Sequence, residues 1–125
     1  MRLLLDSTFL IDHLRGDLAA TDRWHRIFSD DRPFVNEIVA CEVRSGLRPY
    51  EEDHLRSLLE PIEFVQPAVE TALLAGRWRA ELSRQGVTLS VADALIAAAA
   101  AAIGAAVLTR NVGDFALTPV SVETY

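Results

Sequence analysis

The sequence predicts an α/β fold, with a central, mostly parallel sheet of four or five strands and helices on both faces. Three observations predict it. Short apolar runs alternate with segments of helical period along the chain. The clearest helical segments open on a capping residue or proline and close on glycine. The length of 125 residues and 50% apolar content fit one domain spanning residues 1–125.

Arg2-Leu3-Leu4-Leu5 reads as a buried strand, and Asp6-Ser7-Thr8 as the turn and helix start that follow, with the carboxylate at the strand's C-terminal end. Phe9, Leu10 and Leu14 recur at helical spacing up to Gly16, and Leu18, Trp24, Ile27 and Phe28 mark a second helix. Pro33-Phe34-Val35 is a second strand. Asn36 then caps a helix that carries Ile38, Val39, Glu42 and Val43 and ends near Gly46. Glu51 to Leu59 forms an amphipathic helix, and Ile62 to Val65 a strand. Pro67 opens a long helix that runs to about Gln85 and stops at Gly86. Ser90 caps the next helix, which places Asp93 in its first turn and carries the alanine run to about Gly104. Ala105 to Leu108 is a buried strand leading into a polar loop, Thr109 to Phe115, and Pro119 to Val122 adds an edge strand.

Composition narrows the function. Formal net charge is −6, which argues against a general electrostatic grip on nucleic acid. All 12 cationic side chains are arginines, whose planar fork pairs bidentately with phosphate or carboxylate, so Arg15, Arg44, Arg48 and Arg110 are candidates for local contacts. The lone Cys41 has no internal disulfide partner and reads as a small buried filler, and no Cys or His cluster has zinc spacing. His13, His25 and His54 are scattered and read as surface or boundary residues; Trp24 and Trp78 fall on apolar helical stripes and read as core or interface anchors. The N-terminus lacks the pattern of a signal peptide, and Ala94 to Leu108 is short of the ~20 residues that span a bilayer. The expectation is a reduced, cytoplasmic compartment and no membrane.

The chemistry rests on acids. In open parallel sheets ligands bind outside the strands' C-terminal ends, the edge on which both Asp6 and the Asn111 to Asp114 loop fall. Asp93 joins them if its helix N-terminus faces the same crevice, and Glu42 if its helix packs across the strand ends. Two carboxylates about 4 Å apart repel by ~4 kcal/mol at an effective dielectric of 20, so a tight cluster of four requires a cation. Mg²⁺ prefers oxygen ligands, and Mn²⁺ accepts the same set. Asp6 and Asp93 are the candidate direct ligands, with Glu42 and Asp114 holding water around the cation or a second cation. Ser7, Thr8, Thr109 and Asn111 flank the acids and are fit to orient them. Each acid also has an ordinary explanation: Asp93 beside a capped helix dipole, Asp6 in a strand-to-helix turn, Glu42 on a solvated face, Asp114 capping a turn.

Taken together, Leu3 to Thr8, Asn36 to Glu42, Asp93 to Ala98 and Leu108 to Phe115 resemble the ordered motifs of PIN domains, and among these the VapC toxins of toxin-antitoxin pairs. The resemblance implies a PIN-like three-layer sandwich. It also implies a magnesium-dependent endoribonuclease, usually a homodimer, that cuts structured RNA such as tRNA or ribosomal RNA, blocks translation, and is neutralised by a VapB-like antitoxin. The family's acidic positions fall on Asp6, Glu42, Asp93 and Asp114, with Asn111 able to share the role of the fourth. RNA or the antitoxin is then what the four arginines would contact.

Two rivals are weaker. A receiver-type or haloacid-dehalogenase-like phosphoryl-transfer domain also places an Asp after the first strand, but both use a lysine, and the chain has none; the second also needs an Asp where Thr8 stands. A catalytically weak PIN-fold module that binds RNA or a protein is opposed by the intact acidic set.

Overall fold

A computed structural model describes residues 1–125. The elements in order are β1 (Arg2–Leu5), α1 (Ser7–Leu14), α2 (Leu18–Asp30), β2 (Arg32–Val35) and α3 (Glu37–Ser45). A short 3-10 turn (Pro49–Glu51) then leads into α4 (Glu52–Leu59), β3 (Glu63–Phe64), α5 (Val69–Arg84), α6 (Val91–Ala102), β4 (Ala106–Leu108), α7 (Val112–Phe115) and β5 (Val122–Glu123). The five strands form one sheet in the order β3-β2-β1-β4-β5, and every pairing is parallel. The α/β prediction holds, and the sheet is wholly rather than mostly parallel.

The central strand explains the architecture. Successive side chains on a strand point to opposite faces, yet Leu3, Leu4 and Leu5 are all fully buried, so helices must cover the sheet on both sides. The main core joins these leucines to Phe9, Leu10, Ile27, Val35, Val39, Ile96, Val107 and Phe115. A smaller cluster of Ala75, Leu89, Ala94 and Ala98 seals α5 against α6, where small alanines let the two helices approach closely.

The chain moves from β1 to β2 on one side of the sheet and from β4 to β5 on the other, so the connections diverge between β1 and β4. That divergence opens a crevice at the strands' C-terminal ends. Gly104 adopts φ +64 between α6 and β4, a left-handed conformation that glycine takes without steric cost, and so returns the chain into the strand that forms one wall of the crevice.

Two local expectations change. Residues 109–115 are not all loop: Val112–Phe115 closes a single helical turn, anchored by the fully buried Phe115. The last strand lies at Val122–Glu123, later than the Pro119 to Val122 segment, because Thr118 and Pro119 belong to the turn leaving α7. No helix is long and apolar enough to cross a membrane.

Candidate active site

Asp6 sits at the end of β1 and is only 2% exposed. Its extended backbone makes it the N-terminal flanking residue of α1, a position where aspartate normally accepts a hydrogen bond from the first helical turn. Here the side chain makes no such bond. Instead Oδ2 accepts from Thr109 Oγ1 at 2.7 Å and from Thr8 Oγ1 at 2.9 Å. The carboxylate is thereby tied both to the first turn of α1, through Thr8, and to the residue after β4, through Thr109.

Thr109 follows β4 and is fully buried; its hydroxyl also accepts the Asn111 backbone N–H at 2.8 Å. Thr8 Oγ1 accepts the Arg110 backbone N–H at 3.1 Å. Two threonines from opposite ends of the chain therefore hold one oxygen of Asp6 and fix the turn after β4. No hydrogen bond falls on the other oxygen of Asp6.

Asn36 accepts the Val39 N–H at 3.1 Å and starts α3 at the end of β2. The helix packs against α1 and α6 and carries Glu42 on a partly buried face. Glu42 Oε1 is buried and has no hydrogen-bond partner. Burial pushes the Glu42 carboxyl above its ordinary range, the Ser7 hydroxyl opposes this, and the charges of Asp6 and Asp93 add to it. Asp93 lies in the first turn of α6, where Ser90 Oγ accepts its N–H at 3.0 Å. Its carboxyl is raised by burial first and then by Asp6, with Ser90 opposing and Asp114 adding. Asp114 is exposed on α7 and accepts Asn111 Nδ2 at 2.6 Å, so the two residues proposed for the fourth position sit side by side.

Of the four predicted acids, Glu42 is raised in part by Asp6 and Asp93, Asp93 in part by Asp6 and Asp114, and Glu42 keeps a buried oxygen without a partner. They do not close tightly, however. No group of three or more His, Cys, Asp or Glu side chains is drawn into a metal cage, contrary to the tight convergence expected from sequence. Carboxylates in a half-buried site repel one another, which favours the looser arrangement. An all-oxygen donor set with a free carboxylate oxygen on Asp6 and an orphaned one on Glu42 fits a hard divalent ion such as Mg²⁺, which takes only one or two carboxylates directly and keeps several waters.

The arginines divide. Arg44 is engaged with Glu52 Oε1 at 2.6 Å, and Arg110 with Asp12 Oδ1 at 2.6 Å. Arg15 and Arg48 have no carboxylate partner and together line a groove of about 400 Å³ between the C-terminal ends of α1 and α3, floored by Ile11, Leu14 and Leu47. Cys41 is exposed rather than buried, because it lies on the outer face of α3 while Val39 and Val43 take the inner one. For the same reason Val39 and Val43 are core, and Leu47 is half-buried against that core. Trp24 and Trp78 pack on the core as expected. The histidines are surface or boundary residues, as expected: His25 and His54 are exposed, and the half-buried His13 stacks on Trp24 at 4.7 Å, its pKa lowered by burial, then by His25 and His54.

A PIN domain family model matches residues 3–118. The chain belongs to the PIN domain family. Among curated relatives, it is 36% identical over 115 residues to ribonuclease VapC10 of Mycobacterium tuberculosis, covering 90% of this chain and 85% of that protein. It is 28% identical over 117 residues to ribonuclease VapC19 of the same species, covering 93% and 94%. Among solved structures, VapBC2 of Rickettsia felis, bound to a DNA fragment from its promoter, superposes with a TM-score of 0.86 at 20% identity over 100% of this chain and 99% of the other. The last likeness establishes the shared PIN fold.

Sequence reasoning missed two residues beside this site. Asp12 is buried and receives both Arg110 and the Tyr125 hydroxyl, each at 2.6 Å. The available signal was a carboxylate three residues after Phe9, on the inner face of a short apolar helix.

Proposed function

We propose that this PIN domain is a divalent-cation-dependent ribonuclease of the VapC type, with Mg²⁺ as its cofactor and Mn²⁺ as a substitute. The observation that carries the reading is that the Asp6 side chain makes no cap bond to α1 and instead joins a site whose other carboxyls, Glu42 and Asp93, are raised first by burial and then by the charge of Asp6. The names of the curated relatives support the substrate class.

Asp6 and Asp93 would hold the cation, which when bound supplies Lewis-acid polarisation of a phosphoryl oxygen and favours in-line attack by water. Thr8 and Thr109 orient Asp6 by occupying Oδ2. Glu42 Oε1, buried and unpartnered, is placed to take a proton from attacking water, and its raised pKa suits a base. Asp114, steadied by Asn111, completes the negative rim. Arg15 and Arg48 are the guanidiniums free to hold RNA phosphates or an antitoxin's acids; Arg44 and Arg110 are less available.

The fuller reading is a cytoplasmic toxin, acting as a homodimer, that cuts structured RNA such as tRNA or ribosomal RNA, inhibits translation and is neutralised by a VapB-like antitoxin. The solved toxin-antitoxin complexes of similar fold support the partner class. The test is cleavage of total RNA with Mg²⁺, with EDTA and by Asp6→Asn, together with growth arrest on expression and its relief by the neighbouring reading frame. Cutting that needs metal and Asp6 sustains the reading. RNA binding without cutting in the parent chain would point to the catalytically weak module instead.

A further inference from the structure

We propose that Asp12 is a positioning residue for the metal-facing carboxylate of Asp6, acting with Tyr125 through Arg110. This rests on the nuclease reading above. The geometry runs outward from Asp6: Oδ2 accepts from Thr8 Oγ1 at 2.9 Å, Thr8 Oγ1 accepts the Arg110 N–H at 3.1 Å, and Arg110 Nη1 donates to Asp12 Oδ1 at 2.6 Å. The remaining oxygen of Asp12 accepts the Tyr125 hydroxyl at 2.6 Å. Arg110 is therefore held at both ends, its backbone by Thr8 and its side chain by Asp12.

That double hold sets the turn after β4. The same turn presents Thr109 Oγ1 to Asp6 Oδ2 at 2.7 Å and directs the Asn111 N–H onto Thr109 at 2.8 Å. Thr8 and Thr109 both donate to one oxygen of Asp6, which leaves the other without a hydrogen bond from the protein. Asp12 itself is nearly buried, and a buried carboxylate is costly unless its lone pairs are met, so the Arg110 and Tyr125 bonds are what keep it in place. Tyr125 is fixed in turn by an edge-on contact with Phe9, ring centroids 5.0 Å apart. Its ionisation is pushed up by burial and by Asp12, so the hydroxyl stays a donor.

The test uses the full chain, with Mn²⁺ binding followed by calorimetry or electron paramagnetic resonance, RNA cleavage kinetics, and amide exchange at Arg110 and Asn111. Asp12→Ala is expected to weaken Mn²⁺ binding and lower kcat about tenfold, the low end for groups that orient metal ligands, while KM for RNA stays within about twofold. Asp12→Asn, which can still accept one of the two donors, recovers part of the loss. Parent-like Mn²⁺ affinity and amide exchange in a folded Asp12→Ala would overturn the proposal. Where Asp12→Ala does not fold, Tyr125→Phe carries the test. Weaker Mn²⁺ binding with faster Arg110 exchange supports the proposal, and parent values of both overturn it. A parent chain that binds no Mn²⁺ defeats the nuclease reading; the network is then judged by amide exchange alone, faster in Asp12→Ala if it holds the turn and unchanged if it does not.

Discussion

Thr109 Oγ1 donates to Asp6 Oδ2 across 2.7 Å, joining residues 103 positions apart in the chain at the point where β1 and β4 lie side by side. The bond exists because the sheet places β4 beside β1, which puts the residue after each strand at the same edge. It converts a topological neighbourhood into a fixed carboxylate. A helix-capping aspartate would point along α1, whereas this one is held across the crevice.

Thr109→Val keeps the shape and removes the hydroxyl. It strips a donor from the buried Asp6 carboxylate and an acceptor from the Asn111 N–H, at a cost of about 1–3 kcal/mol in urea unfolding. RNA cleavage should fall with it, and Thr109→Ser should recover both.

Glu42 and Asp93 make the metal-free protein sensitive to pH. Their folded pKa values lie above the usual 4.5 and 3.8, so the folded state binds more protons than the unfolded one as those carboxyls titrate. Stability from these groups therefore falls as pH rises; the penalty is absent below the unfolded values and complete above the folded ones. Glu42→Gln should raise Tm by roughly 2–5 °C at pH 7 in EDTA and lose that advantage near pH 4. The same substitution should nearly abolish cleavage. Equal Tm for parent and variant at pH 7 in EDTA would remove the strain assigned to Glu42.

Phe115 is fully buried and ends the turn that carries Asp114. Phe115→Ala should destabilise by about 3–5 kcal/mol, the usual loss for a core aromatic. Asp114→Ala, which leaves the core untouched, should leave Tm close to the parent's while lowering cleavage, and thermal unfolding of the pair separates the two roles.

The free guanidiniums at the groove predict an effect on binding rather than chemistry. Arg15→Ala and Arg48→Ala should each raise KM for RNA and make its logarithmic salt dependence shallower by about 0.7–0.9, the slope expected per phosphate contact, with kcat little changed. An unaltered salt slope together with lost antitoxin binding would assign the groove to the protein partner.

The sequence made much of this legible where it repeats a physical pattern. Leu3-Leu4-Leu5 could only be a strand covered on both sides, and Asn36 and Ser90 announced helices whose caps the structure contains. Elements too short for a period escaped. Val112–Phe115 contains glycine and spans one turn, so only its packing through Phe115 makes it a helix. Cys41 looked buried by residue type, but the face of α3 is decided by Val39 and Val43. The Asp12–Arg110–Tyr125 network was invisible because Asp12 lies 98 and 113 residues from its two partners and meets them only in the folded chain.

The central claim is that Asp6 and Asp93 share one hard cation. Crystals of the parent soaked in Mn²⁺ and measured at the manganese absorption edge test it most directly. One anomalous peak within about 2.0–2.3 Å of oxygens from both residues, lost in Asp6→Asn, is the predicted result. A saturating soak that leaves the space between them without a peak, or places manganese elsewhere, would contradict it.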